Sequence, residues 1–153
     1  AELSGTDATV IQQSIARGDK ITAVLGEPAI TALKTQGKEF TVLASISDLF
    51  ADKTGEEFPM AGMFVRSDIA ADHSTLVTAI NDKIRDSVAA FNADPEAVGT
   101  KAEGIEGCSL KGAVLKNAAP KMNVRFRNAA DSKDAVNELF SHIGVTVDDA
   151  FFL

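Results

Sequence analysis

The chain has 153 residues, enough for one domain or two small lobes, and its 45% hydrophobic and 24% charged residues are typical of globular proteins. A formal net charge of −7 argues against nucleic acid and anionic membrane surfaces as partners, because both bind basic faces. The single Cys108 excludes an internal disulfide, and no Cys/His group has zinc-like spacing, so the sequence predicts no metal and no cofactor.

The first 45 residues predict alternating helices and strands. The polar cluster Ser4–Asp7 begins a helix, and we interpret it as a plain cap rather than as an anion-binding helix start. Apolar residues recur on one helical face from Ala8, and Gly18 ends this helix. The segments that follow are a strand at Ile21–Leu25, a helix at Ala29–Thr35 and a strand at Phe40–Ser45.

The middle of the chain predicts less regular structure. Residues 47–57 are rich in Asp, Lys, Gly and Glu and predict a loop. Pro59–Val65 is apolar and predicts a third strand, and Asp68–Ala71 predicts a turn or short helix.

The second half of the chain predicts mainly helices. From Ser74, apolar residues recur at spacings of three and four as far as Phe91, which predicts a long helix with one buried stripe. Further helices are predicted at Glu96–Ala102, at Leu110–Ala118 closed by Pro120, and from Asp131 to Gly144. Met122, Val124 and Phe126 alternate with polar residues. Because strands and helices alternate early in the chain, the sequence predicts an α/β layer with parallel strands.

Four phrases of the sequence carry a resemblance to a known family. They are the helix end Ile11–Asp19, the strand and turn Ile21–Leu33, the segment Phe58–Asp68, and the C-terminal run with Asn92–Val98 and Arg125–Asp131. In this order they resemble the nitrate/sulfonate/taurine and thiamine-precursor group of solute-binding proteins of ABC importers. The resemblance implies an α/β fold of the periplasmic-binding-protein type (type II), of which the chain would be the C-terminal half. Residues 1–45 would belong to the second lobe, residues 46–66 would form crossover or hinge strands, and residues 67–153 would return to pack on the first lobe.

The same resemblance implies a function in transport rather than in catalysis. The chain would capture a small molecule such as a sulfonate, nitrate or thiamine precursor in the periplasm, or outside the cell as a membrane-anchored lipoprotein. Its partners would be that ligand, an ABC permease, the missing N-terminal lobe and a second copy of the fragment. Two alternatives share the fold, namely an enzyme domain of the thiamine-pyrimidine synthesis type and the ligand-sensing domain of a regulator.

The turn Gly26–Pro28 is the first candidate ligand site. It joins a predicted strand to a helix, and open α/β sheets bind ligands at the carboxyl ends of their strands. With the resemblance, this position implies ligand-binding roles for Gly26, Glu27 and Pro28. The alternative is local, because Glu27 would complement the positive helix end and Pro28 would set the turn.

The second candidate ligand site is Met60, Ala61 and Gly62, which would line the floor of a cleft because small residues allow close approach. The alternative is a buried strand with a bulge. No residue is assigned a catalytic role. His73 is interpreted as solvated, and His142 as a cation favoured at a helix end. Cys108 is interpreted as incidental, and Arg125 and Arg127 as a solvated face rather than an anion grip.

Overall fold

The computed structural model describes residues 7–152, and these residues form helices with no strand among them. The helices are α1 (Ala8–Arg17), α2 (Ala29–Thr35), α3 (Ile46–Thr54), α4 (Ser67–Asp72), α5 (Ser74–Ala93), α6 (Pro95–Ala102), α7 (Gly112–Met122), α8 (Ala129–His142) and a short 3-10 helix (Asp149–Phe151). No helix of this described part is both long and apolar enough to cross a membrane.

The predicted α/β fold with a small parallel sheet is therefore wrong. The segments expected to be strands, Ile21–Leu25, Phe40–Ser45, Pro59–Val65 and Met122–Phe126, contain no strand pairing, and only Met122 among their residues is helical. A short apolar run does not by itself distinguish a buried strand from a buried helix, and a strand also needs a neighbour whose backbone groups it can meet. The alternation after Met122 is real, since Met122, Val124 and Phe126 are half-buried and the residues between them are exposed.

The predicted helices agree with the structure where capping residues mark their ends. Asp7 caps α1 by accepting hydrogen bonds from the amides of Thr9 and Val10, and Asp94 caps α6 through the amide of Ala97. The Ala29–Thr35 helix is confirmed, and the long helix from Ser74 extends to Ala93.

Two helix predictions are wrong. The expected loop at residues 47–57 is largely α3, which Ser45 caps by accepting a hydrogen bond from the amide of Asp48 and which ends at Gly55 with φ +80°. Pro120 was expected to close a helix, but it lies inside α7, which ends two residues later where Asn123 adopts a left-handed conformation. Proline removes one hydrogen bond, and near a helix end only one turn is affected.

The chain divides into two compact units. The first consists of the described parts of Ala1–Thr41 and Ile84–Arg125, and it contains the buried residues Thr31, Leu33, Leu115 and Ala118. In this unit α6 and α7 form a hairpin, and α2 packs on α7. Gly99 and Gly112 make the hairpin close, because a Cβ at Gly99 would lie 2.6 Å from the Gly112 Cα.

The second unit consists of Val42–Lys83 and the described part of Phe126–Leu153. Ala135 of α8 is buried here. Phenylalanine rings pack edge to face in two places, between α3 and the segment that follows it and between α8 and the 3-10 helix. Helix α5 runs from this unit into the first one. Its predicted buried stripe is wrong, since none of its residues is buried and Leu76, Ile80 and Ile84 are 38–56% exposed. The division into residues 1–45, 46–66 and 67–153 stays a prediction.

Candidate functional site

A histidine and a carboxylate meet at the end of α8. Glu138 and His142 are separated by one helical turn, so their side chains lie on the same face of the helix. The Glu138 Oε1 atom is 3.2 Å from the His142 Nε2 atom, and the two side chains are 41% and 45% exposed. The imidazole is therefore oriented by a carboxylate and remains open to solvent, which is the arrangement of a side chain that can exchange protons with a bound molecule.

The ring of Phe50 lies beside this imidazole, and the ring of Phe58 packs against Phe50. The ring centroid of Phe50, on α3, is 6.4 Å from that of His142 at an interplanar angle of 80°, and 5.2 Å from that of Phe58 at 64°. Both phenylalanines are half-buried. Edge-to-face packing of this kind contributes about 0.5–1.5 kcal/mol per pair beyond the buried area, so the rings form a fixed apolar wall next to His142.

Local hydrogen bonds hold this wall in place. The Thr54 hydroxyl donates to the carbonyl of Phe50 at 2.8 Å and accepts from the amide of Glu56 at 3.1 Å. The left-handed conformation of Gly55, with φ +80°, lets the chain turn between these contacts. The end of α3 and the following segment are thus tied together, which sets Phe58 against Phe50.

An ion pair follows the aromatic wall along the chain. Glu57, next to Phe58, forms an ion pair with Arg127, with 2.8 Å between Oε2 and the guanidinium Nη2, and both side chains are a little over 40% exposed. The sequence interpretation treated Arg127 as part of a solvated face, but the structure gives it a carboxylate partner. Arg125 also has an interaction partner. We define the candidate site as Phe50, Glu57, Phe58, Arg127, Glu138 and His142, which all belong to the second unit.

The sequence did not reveal this site, because His142 was interpreted only as a cation favoured at a helix end. The sequence does contain the spacing that predicts the Glu138–His142 pair. Glu138 lies four residues before His142 within a predicted helix, where side chains at i and i+4 are expected to meet. The proximity of Phe50 could not be read from the sequence, because the two residues are about ninety positions apart. Among the described residues no group of three or more His, Cys, Asp or Glu side chains could hold a metal ion.

The predicted ligand turn Gly26–Pro28 lies in the first unit. Glu27 is half-buried and its carboxylate is engaged locally, with Oε2 accepting from the amide of Thr31 at 3.0 Å and Oε1 from its hydroxyl at 3.1 Å. Pro28 follows a cis peptide bond and occupies the position before α2. Through these contacts the Glu27 carboxylate binds the first turn of α2. The ligand role of Gly26, Glu27 and Pro28 stays a prediction.

The second predicted ligand site, Met60, Ala61 and Gly62, lies in the second unit. All three residues are exposed, and Met60 is 72% exposed. The alternative interpretation as a buried strand is wrong for the same reason. The ligand role of these residues also stays a prediction.

The remaining candidates from the sequence are Cys108, His73 and the polar residues Ser4–Thr6. Cys108 is a half-buried free thiol in the loop between α6 and α7. His73 lines an open hollow of about 490 Å³ at the start of α5, together with Asp72, Ser74, Thr75, Leu76 and Ala79. The residues Ser4–Thr6, considered above as an anion site, lie outside the described residues.

An exposed imidazole with a carboxylate partner and an aromatic wall is an arrangement found in enzymes that transfer protons. A family model described as menaquinone biosynthesis matches residues 3–143, and the chain therefore belongs to the menaquinone biosynthesis family. No curated protein and no solved structure matched the chain.

This membership corrects the interpretation drawn from the resemblance to solute-binding proteins. The transport function and the ABC permease as a partner are wrong, and the two alternatives, a thiamine-pyrimidine enzyme domain and a regulator's sensor domain, find no support. The expectation that the chain is not an enzyme is also wrong, because the family points to a biosynthetic enzyme. The phrases that carried the resemblance, such as Gly26–Pro28 and Asp94–Glu96, are helix starts that recur in unrelated proteins because they solve the same capping problem.

Proposed function

We propose that the chain is an enzyme that transfers a proton to or from a ring-containing intermediate of menaquinone biosynthesis, with His142 as the acid–base group. The observation that carries the proposal is the exposed imidazole of His142, held by Glu138 and bordered by the ring of Phe50. Family membership supports the pathway, and this geometry supports the choice of His142 as the reacting group.

The aromatic wall fits the chemical class of the pathway's product. Menaquinone contains a fused pair of six-membered rings, so the steps that build it handle flat, unsaturated ring compounds. The edges and faces of Phe50 and Phe58 offer such a ring offset or edge-to-face contacts. A ring resting on this wall would lie next to the imidazole of His142, within reach of proton transfer.

The Glu138 carboxylate would determine which tautomer the His142 imidazole adopts. Nε2 is the ring nitrogen that lies 3.2 Å from the Glu138 carboxylate, so a proton on Nε2 would face that charge, and Nδ1 would carry the free electron pair that accepts a proton from the substrate. The carboxylate then stabilises the resulting cation, and the proton returns in a later step. Glu138 is thus a positioning residue, and the base is His142. The Arg127–Glu57 pair would border the same site.

The proposal is tested in the organism by changing single codons of the gene that encodes the chain. His142→Asn removes the base but keeps a polar side chain of similar size. Positioned acid–base groups contribute about 10²–10⁴-fold to rate, so we expect the menaquinone content, measured by mass spectrometry, to fall at least tenfold. His73→Asn, which alters the other histidine, is the matched control and should leave the content unchanged.

A binding measurement separates loss of chemistry from loss of the site. 1,4-Naphthoquinone is the probe, and the wild-type protein carries ring-labelled phenylalanine for NMR. We expect shifts in the Phe50 and Phe58 signals that persist in His142→Asn and disappear in Phe50→Ala. Normal menaquinone content in His142→Asn, or probe shifts confined to phenylalanines outside the candidate site, would exclude the proposed role.

A further inference from the structure

Residues 145–152, which we call the return segment, fold back onto α8. The amide of the first of these residues donates to the carbonyl of Phe140 at 2.8 Å, which turns the chain at the end of the helix. Further along, the Asp149 carboxylate lies 2.6 Å from the Nζ atom of Lys133. The ring centroid of Phe151 lies 5.8 Å from that of Phe140. The return segment therefore contacts α8 at two places along its length.

The contacts of Phe151 hold the return segment more firmly than the ion pair does. The Asp149 side chain is 89% exposed, and an ion pair this open to water contributes little to stability. The ring of Phe151 packs on two rings besides that of Phe140, with centroids 5.7 Å from Phe64 and 5.2 Å from Phe152. Rings in tilted or edge-to-face contact at these distances attract each other beyond the area that they bury. Phe151 is therefore the main contact between the return segment and α8.

Phe151 packs on the face of α8 opposite to the Glu138–His142 pair. Two successive steps along an α-helix turn the side-chain direction by slightly more than half a turn. Phe140 lies two residues after Glu138 and two before His142, so its side chain points away from both. The ring of Phe50 is 6.4 Å from the imidazole on one face, and the ring of Phe151 is 5.8 Å from Phe140 on the other. The end of α8 thus lies between two aromatic rings.

One short segment connects these two rings. Phe58 packs on Phe50, and Phe64 packs on Phe151. Six residues of extended chain span about 20 Å, which exceeds the helix diameter of about 10–12 Å, so this segment is long enough to pass α8 and reach both rings. Because α8 is held from both sides, a change at Phe151 is expected to alter the distance between Phe50 and His142.

We propose that Phe151 is a positioning residue for His142, because its ring holds the far face of α8 so that the imidazole stays against Phe50. This inference rests on the proposed function, in which His142 exchanges a proton with a ring compound lying on the wall of Phe50 and Phe58. Phe151 lies across the helix from the imidazole and takes no part in the proton transfer. Its effect is geometric, since misplacing a reacting group by about 1 Å can lower a rate by about 10²-fold.

NMR of the histidine rings tests the placement without any need for activity. The chain has 2 histidines, so the signal that is lost in His142→Asn identifies the His142 ring. Phe50→Leu removes the neighbouring ring and defines the shift that loss of this contact produces. Phe151→Leu keeps an apolar side chain but removes the ring. We expect it to move the His142 signal, at the same pH, in the same direction and at least half as far, while the His73 signal stays in place.

Three further variants show whether the ring of Phe151 is responsible. Phe151→Tyr keeps the ring, and its hydroxyl can reach water at a residue 39% exposed, so the His142 signal should stay at the wild-type position. Phe64→Leu removes a partner of Phe151 at a residue 73% exposed, so the fold should be retained and the signal should move as in Phe151→Leu. Phe40→Leu is the matched control, because Phe40 is a half-buried phenylalanine of the first unit, and it should leave the signal unchanged.

Menaquinone content in the organism connects this placement with function. We expect the content to fall at least threefold in Phe151→Leu and to stay normal in Phe151→Tyr and Phe40→Leu. An unmoved His142 signal in Phe151→Leu, an equal shift in Phe40→Leu, or the same shift in Phe151→Tyr would overturn the proposal.

The failure of this proposal and the failure of the proposed function give different results. If His142→Asn lowers the menaquinone content while Phe151→Leu moves the His142 signal and leaves the content normal, Phe151 is not a positioning residue. If His142→Asn itself leaves the content normal, the proposed function is wrong, and the NMR shifts alone decide whether Phe151 places His142.

Discussion

The contact between Gly99 and Gly112 gives the sharpest prediction for the fold, because the two helices of the α6–α7 hairpin touch through their backbones. In Gly99→Ala the new Cβ would lie 2.6 Å from the Gly112 Cα and 2.9 Å from the Leu115 Cδ1. Neither backbone can rotate away, and carbon atoms pack at about 3.5–4.0 Å, so the helices must move apart by about 1 Å.

The cost of this displacement can be estimated from two opposing terms. Forcing an additional methyl group into a packed interface costs about 1–3 kcal/mol. Replacing a helical glycine by alanine returns about 1 kcal/mol. Because Leu115, only 2% exposed, lies in the same interface and loses contacts as the helices separate, we expect the upper part of the range. The net effect should be a loss of about 2 kcal/mol in the free energy of unfolding.

Urea denaturation followed by far-UV circular dichroism measures this loss. Gly104→Ala is the matched control, because its Cβ would meet only the Lys101 carbonyl oxygen at 3.6 Å, and its stability should stay within about 0.5 kcal/mol of wild type. If Gly99→Ala unfolds at the wild-type urea concentration, the close approach of the two helices does not exist in solution.

Three further predictions concern the first unit. Leu115→Ala should lower the free energy of unfolding by about 2–5 kcal/mol in the same urea assay, because it leaves a cavity in the core. Glu27→Gln should cost about 1–2 kcal/mol, because Thr31 loses a charged acceptor while buried to 4% exposure, and hydrogen exchange at the Thr31 amide should accelerate. The third concerns pH. The amides of Thr9 and Val10 hold the pKa of Asp7 below its usual 3.8, so its contribution to stability is complete above 3.8 and is lost as the pH falls through the lower folded value. Asp7→Asn should lack this part of the acid dependence, and equal acid profiles for the two proteins would contradict the cap.

A companion prediction applies at alkaline pH. The Glu96 carboxylate, 2.7 Å from the Lys116 Nζ atom, holds the pKa of that lysine above its usual 10.5. Its contribution to stability is therefore complete below 10.5 and is lost as the pH rises through the higher folded value. Lys116→Met should flatten the alkaline end of the stability profile, and an unchanged slope would show that the pair contributes nothing.

Some residues of the candidate site could be predicted from the sequence, and others could not. The Glu138–His142 pair follows from the i, i+4 spacing of a helix, which the sequence contains. The placement of Phe50 against His142 depends on how α3 lies relative to α8. That position is decided by packing between segments distant in the chain, and no local pattern encodes it.

The sequence by itself determined most helix positions, because a helix closes its hydrogen bonds within a few residues and its ends are marked by local side chains such as Asp7 and Asp94. It did not determine whether the apolar stretches between helices would form a sheet. An apolar run such as Ile21–Leu25 looks the same whether its backbone groups meet a neighbouring strand or not, because that neighbour is supplied by another part of the fold. For the same reason, only the tertiary structure showed that the stripe of α5 is exposed and that Phe50 lies against His142.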